Sequence, residues 1–344
     1  MAKITRTLAV DPDDPDPAPI DEAARVLREG GLVAFATETV YGLGADATNP
    51  EAVARIFEAK GRPASNPLIV HVDDVAMALD CACWCPGAPG LAERYWPGPL
   101  TLILPRRRII PDLVTAGREA VGIRIPRPHV ARALIARTGR PIAAPSANRS
   151  AGLSPTLARH VLKDLDGKID LILDSGPTGI GLESTVLSLW SDPPRILRPG
   201  AITAEQLSEA LGMMAAGPIG AQDQGSSAGP LSPGQMAIHY APRTPAVRVA
   251  PDRLAAFAWP GRAGLLVFGR PDLPALPGPA VRRDLPTPAE AAAALYATLH
   301  DWDERNLDLI VVAPPPDSPE WRAIRDRLRR ATQPLDASFD VLGS

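Results

Sequence analysis

The segments Lys60-Gly-Arg-Pro-Ala-Ser-Asn-Pro-Leu68 and Ala144-Pro-Ser-Ala-Asn-Arg-Ser-Ala-Gly152 each join fixed cations to short hydroxyl and amide side chains. Both lie in loops beside apolar strands. Such a set suits a nucleotide phosphate, because the cations offset its charge while small side chains and loop backbone donate to its oxygens. Only four of the 36 basic residues are lysines, so Lys60 does not reflect compositional habit. The spacing predicts a helix over 50–60, capped by Asn49 or Thr48, opened by Pro50 and ended by Gly61. Val53, Ile56, Phe57 and Lys60 fall at i, i+3, i+4 and i+7, which puts Lys60 on the buried stripe. Pro63 and Pro67 hold the following residues extended.

Five groups of residues offer chemistry in strands or at their ends. Thr37 and Thr39 lie in Ala36-Thr-Glu-Thr-Val-Tyr-Gly-Leu-Gly44, read here as a loop whose glycines let a ligand approach the backbone. His71 alternates with Ile69 and shares its face; a lone histidine on an apolar face is more often a satisfied core residue than a ligand contact. Arg124, inside Val121–Pro126, cannot be buried without a carboxylate or phosphate partner. Ser146 and Asn148 follow a strand over 141–144, and Ser184 and Arg198 also sit at strand ends, the habitual ligand edge of α/β folds.

Strands are expected over 32–36, 67–72, 100–104, 121–125, 141–144, 169–173, 185–189 and 195–197. Helices are expected over 20–29, 50–60, 129–138 and 155–165. The fold class is therefore mixed α/β. The adjacent strands over 185–197 point to antiparallel pairing and against a purely doubly wound parallel sheet. Composition changes at Gly212: residues 215–234 are rich in Ala, Gly, Ser, Gln and Pro and read as a linker. Strands over 264–268 and 307–312 and helices over 288–300 and 319–330 then form a small Rossmann-like module without a GxGxxG turn, which argues against a dinucleotide there. The domains are thus 18–211, linker 212–244, and 245–340.

At 344 residues and 45% hydrophobic content the chain is globular, and a net charge of −3 argues against a dedicated nucleic-acid coat. No apolar run approaches a membrane span, and the start is acidic and proline-rich rather than signal-like, so a cytoplasmic location is expected. Cys81, Cys83 and Cys85 lack the spacing of a zinc site and are expected to be reduced and mostly packed. No protein metal site is expected.

In order, KxR followed by SNPL and His71, WPGPLT over Trp96–Thr101, VGxRxP, PSAN, ST and RPG resemble the YrdC-type threonylcarbamoyl-AMP synthase family over about Ile20–Leu211. The linker motif Ser232-Pro-Gly-Gln-Met-Ala-Ile-His-Tyr-Ala-Pro242 is similar to that of the longer two-domain branch. The resemblance implies a YrdC-like twisted mixed sheet with flanking helices plus the C-terminal Rossmann-like module. It also implies that L-threonine, bicarbonate and ATP, with magnesium, give threonylcarbamoyl-AMP and pyrophosphate. The product would feed a downstream threonylcarbamoyl transferase complex acting on tRNA, which leaves room for a weak RNA contact by the synthase itself.

By motif match, Thr39, His71, Arg124, Ser184 and backbone at Ala144 would surround threonine. Arg62, Asn66, Ser146, Asn148, Ser154, Arg198, Tyr240 and backbone at Ala120 would hold ATP or the adenylate. Lys60 and Arg62 would act on the reacting phosphate, affecting rate while leaving stability nearly unchanged. The linker segment would fold over the cavity. Two departures stand out: Ala36 where the family has proline, and Gln235–Ile238 where it has basic residues. The alternatives are a carbamoyl-adenylate-forming enzyme and a double-stranded RNA binding protein without catalysis. The absence of CxxC pairs weighs against the first, the net charge against the second.

Overall fold

The structure, a computed structural model, describes residues 4–217, 240–270, 273, 275–276 and 278–335. Residues 232–239 of the linker motif, and the expected closure of residues 235–239, lie outside the described residues. Contacts divide the chain into two units, 1–150 with 154–236 and 151–153 with 237–344.

The first unit begins with β1 (Arg6–Ala9), α1 (Pro17–Arg28), β2 (Val33–Ala36), β3 (Tyr41–Asp46), α2 (Pro50–Lys60) and β4 (Ile69–His71). It continues with α3 (Val75–Cys81), α4 (Ala88–Tyr95), β5 (Leu100–Pro105), α5 (Asp112–Thr115), β6 (Ala120–Arg124), α6 (His129–Thr138) and β7 (Ile142–Ala143). It ends with α7 (Ala158–Leu165), β8 (Leu171–Asp174), β9 (Thr185–Ser188), β10 (Arg195–Arg198) and α8 (Ala204–Leu211). The ten strands form one mixed sheet in the order β1-β8-β2-β3-β7-β4-β6-β5-β9-β10. β9 and β10 pair antiparallel, as their adjacency in sequence predicts. The stretch read as a loop after Ala36 is instead a hairpin in which Ala36 pairs with Tyr41 and Val33 with Gly44.

α2 follows its sequence signals. The Asn49 side chain accepts from the N–H groups of Glu51 and Ala52, Pro50 occupies the first turn, and Gly61 ends the helix at φ 59°. Val53 and Ile56 are fully buried, each contributing about 1.5–3 kcal/mol. They pack with Leu43, Ala45, Val70 and Ile123 on one face of the sheet. On the other face, Val33, Phe35, Ile142 and Leu171 meet Ile20, Ala24 and Leu27 of α1 and Val130, Leu134 and Ile135 of α6. Farther along that second face a separate small cluster, Ile69, Ile103, Val186 and Leu197, contains no helical residue. The sheet is therefore flanked by helices on both faces at one end. Its β4–β6–β5–β9 end carries His71 and Arg124 on that second face, beyond the part that α1 and α6 cover.

The second unit holds β11 (Ala246–Arg248), β12 (Ala263–Phe268), β13 (Val281–Leu285), α9 (Pro288–Asp303), β14 (Leu309–Ala313), α10 (Arg322–Ala331) and β15 (Gln333–Pro334). The sheet is parallel throughout, in the order β13-β12-β14-β11-β15. α9 starts on a reciprocal capping box between Thr287 and Glu290. The helix expected over 319–330 is a 3-10 turn, Pro319–Trp321, leading into α10. Of the three cysteines only Cys81 is buried, at the end of α3, whereas Cys83 is exposed and Cys85 half-buried, so the packed expectation holds for one thiol. Among the described residues no helix is long and apolar enough to cross a membrane.

Candidate active site

Parallel pairing of β4 with β6 sets His71 opposite Arg124, so the two side chains share a face. Gly122, two residues earlier, looks onto Ile103, Thr101 and Ile69. Arg124 is buried and fixed from three sides. Its Nε donates to the Gly98 carbonyl at 3.2 Å and its Nη1 to Thr39 Oγ1 at 2.9 Å. Its Nη2 lies 2.9 Å from Glu38 Oε1 in an ion pair whose side chains are 4% and 8% exposed. The other Glu38 oxygen accepts from the Arg127 N–H at 3.0 Å. The carboxylate partner that a buried arginine demands is thus Glu38, held in the β2–β3 turn between two threonines. Its assignment was missed in the sequence, where only the need for such a partner could be read.

The His71 ring meets Phe35 edge-on at 6.4 Å. Burial, and then the Arg124 charge, push its pKa down to about 3. His71 is therefore neutral at neutral pH, beside the Arg124 guanidinium. A histidine whose folded pKa is depressed contributes stability that is present above its unfolded value near 6.5. That stability is lost as the pH falls toward about 3. Between pH 7 and pH 4.5 the wild-type chain is expected to lose about 2–3 kcal/mol more than a His71→Asn variant. Urea unfolding of both proteins at the two pH values checks this; parallel losses would remove the buried neutral imidazole from the account.

Ser184 Oγ shares a 2.8 Å hydrogen bond with Thr101 Oγ1 and accepts from Arg198 Nη2 at 3.0 Å. Arg198 Nε also donates to the Ser184 carbonyl, at 3.1 Å. This clamp requires Gly200, where an added Cβ would stand 2.4 Å from the Thr185 nitrogen and 2.7 Å from the Ser184 carbonyl carbon, contacts with backbone that cannot rotate away. Ser154 donates to the buried carboxylate of Glu183, next to Ser184. Thr101 and Glu183 are further polar partners that the sequence did not single out.

Lys60 is buried at the end of α2 and turned into the loop over 145–148. Its Nζ donates to the Ser146 carbonyl at 2.6 Å and also to the Asn148 carbonyl, and lies 3.4 Å from Asn148 Oδ1. Burial, and then the neighbouring Arg62, push its pKa well below the usual lysine value, with Asp164 opposing. Ser146 Oγ donates to Asn148 Oδ1 at 2.6 Å. The same loop is pinned to β3 through Leu43 N–H to the Pro145 carbonyl and Ala147 N–H to the Tyr41 carbonyl, at 2.7 and 2.8 Å. Arg62 folds back on its own loop, donating to the carbonyls of Asn66 and Pro67 at 3.2 and 2.9 Å. Ala144 N–H donates to the Ile69 carbonyl at 2.9 Å, fixing the backbone beside His71.

The fold thus joins Thr39 to Arg124, His71 to the same β4–β6 rung, Ser184 to Arg198, and Lys60 to Ser146 and Asn148. It separates one expected member from them. Ala120 lies at the opposite end of β6 from Arg124, roughly 13 Å along the strand, paired with Pro105 in the ladder. Tyr240 belongs to the second unit, where it is buried against Tyr296 at 5.8 Å with the Arg327 guanidinium 5.3 Å above its ring. Among the described residues no group of three or more His, Cys, Asp or Glu side chains could hold a metal ion.

Residues 25–200 match the Sua5/YciO/YrdC family, described as telomere recombination, and residues 202–333 match the threonylcarbamoyl-AMP synthase C-terminal domain. The threonylcarbamoyl-AMP synthase of Bacillus subtilis is 45% identical over 91% of this chain and 92% of its own length. That of Pyrococcus abyssi is 40% identical over 90% and 93%. The crystal structure of P. abyssi Sua5 complexed with L-threonine superposes with a TM-score of 0.86 at 37% identity, covering 96% of this chain and 99% of that one. Both units thus have counterparts in the same full-length relatives, and the chain belongs to the Sua5/YciO/YrdC family, in the branch that carries the threonylcarbamoyl-AMP synthase C-terminal domain.

Proposed function

We propose that the protein is an L-threonylcarbamoyladenylate synthase, a nucleotidyltransferase that condenses L-threonine, bicarbonate and ATP into threonylcarbamoyl-AMP and pyrophosphate. The observation that carries the reading is the near full-length likeness to relatives named for this activity, one of them solved with L-threonine. The same relatives favour it over carbamoyl-adenylate formation and over RNA binding without catalysis.

In this mechanism Arg124, held rigid by Glu38, Thr39 and Gly98, receives the threonine carboxylate. Neutral His71 and Ser184 line the same recess. The threonine amine, once deprotonated, forms a C–N bond to carbon dioxide with loss of an N–H proton, or to bicarbonate with cleavage of a C–O bond and loss of water, giving the carbamate. A carbamate oxygen then attacks the α-phosphorus in line, and the bond to the β-phosphate oxygen breaks with pyrophosphate as leaving group. The carbamate and the triphosphate are both anionic, so fixed cations and positioning supply the barrier reduction, with no protein nucleophile required. Arg198 beside Ser184, and Lys60 and Arg62 beside the loop over 145–148, provide those cations. Magnesium fits as an ion carried by the nucleotide phosphates, since the described residues offer no cage of their own. When bound, it would neutralise phosphate charge.

Purified protein is expected to release pyrophosphate only when threonine, bicarbonate, ATP and magnesium are all supplied. A coupled pyrophosphate assay with each component omitted in turn checks this. Threonine-independent cleavage of ATP to ADP would sink the reading, because it indicates phosphoryl rather than adenylyl transfer.

A further inference from the structure

The surface between α3, α4 and the Trp96–Pro97 turn forms an open cavity of about 500 Å³ that shares no residue with the candidate active site. Its walls include Trp84, Trp96, Val75 and Ile125, and its polar groups are Asp73, Asp74 and Glu93, with no basic side chain among the lining. The two indole rings lie 6.1 Å apart, inclined at 43°. Trp96 spends its N–H on the Leu100 carbonyl, which leaves its ring as an apolar wall.

The carboxylates differ in what they already hold. Asp74 caps α3 through the Met77 N–H at 2.8 Å. Asp73 Oδ1 is buried with no hydrogen-bond partner. Burial and then the Asp74 charge push the Asp73 carboxyl up, an effect that the backbone N–H groups of Asp73 and Asp74, and then Arg132, oppose. Adjacent carboxylates beside indole faces form an environment that favours positive charge: the quadrupole of each ring and the carboxylates attract the same cation. The volume lies within the range of small-ligand sites.

We infer that this cavity binds a small organic cation, an alkylammonium or guanidinium group on an apolar body about one ring in size. The apolar body lies against Trp84 and Trp96 and the charged end meets Asp73 and Glu93.

Calorimetric titration of the full chain with 2-phenylethylammonium, and with phenylacetate as the anion of similar shape, tests this. The ammonium probe is expected to bind at least about tenfold more tightly than the anion, with an affinity that falls as salt rises. Trp84→Ala is expected to weaken it about tenfold, and Glu93→Gln, at an exposed position where folding is not at stake, about threefold. Equal binding of the two probes, or unchanged affinity in Glu93→Gln together with any folded Trp84 variant, overturns the assignment. Acetyl-phenylalanyl-arginine amide binding far more tightly than the free amine also overturns it, because the cavity would then be a docking point for a partner's side chain.

Discussion

Replacing Lys60 with alanine is expected to lower threonine-dependent pyrophosphate release by at least about 100-fold and to cost about 1–3 kcal/mol of stability in the first unit. The loss of rate follows from a cation placed beside Arg62 at the loop carrying Ser146 and Asn148. The loss of stability is what the structure adds. The sequence alone leads one to expect a lysine that serves the phosphate and is structurally dispensable. In the fold its ammonium is shared among the carbonyls of Ser146 and Asn148 and the Asn148 amide oxygen. Alanine leaves those buried acceptors without their donor, and an unmade buried hydrogen bond costs more than a made one contributes. Steady-state kinetics and urea unfolding of the same preparation check both halves. Full specific activity would remove Lys60 from the chemistry; an unchanged urea midpoint would remove it from the support of the loop.

How far the sequence carries depends on where the determining signal lies along the chain. α2 and α6 end where their caps and periodicity place them, because the stripe and its terminating glycine lie within a dozen residues of one another. β3 was hidden by its glycines. Gly44 reads as a loop signal, yet it is small because Phe35 and Ile142 press on it, with an added Cβ only 2.9 Å from either side chain. β1 sits in a flank whose acidic and proline-rich composition masks four strand residues that pair with β8. β13, VRRDL, alternates poorly because it is an edge strand with charged residues exposed.

The candidate site divides the same way. Burial of Lys60 was legible from its helical spacing. The direction of its ammonium was not, since the acceptors lie 86 and 88 residues away. Likewise the packing of Tyr240 against Tyr296 and below the Arg327 guanidinium was not legible from the linker motif, since both partners lie far along the chain.

Arg124 tests the largest of these long-range pairings. Arg124→Met is expected to abolish measurable threonine-dependent activity and to destabilise the first unit by about 3–5 kcal/mol, because it strands the Glu38 carboxylate in a buried site. These two effects have different origins and can be separated. Glu38→Gln alone keeps the guanidinium bonded to Gly98 and Thr39 while removing its counter-charge. It is expected to raise the KM for threonine with a smaller change in kcat, since the arginine stays in place but is less firmly aimed. In the double variant, Glu38→Gln with Arg124→Met, no uncompensated charge remains. Most of the lost stability should return while activity stays absent. Urea unfolding of the wild type, the two single variants and the double variant forms a closed cycle that yields the coupling energy between the two side chains. If the double variant is no more stable than Arg124→Met, the stranded carboxylate is not what destabilises the fold. If Arg124→Met retains threonine-dependent turnover, the guanidinium does not hold the substrate carboxylate, and the recess between β4 and β6 must bind threonine by its other groups.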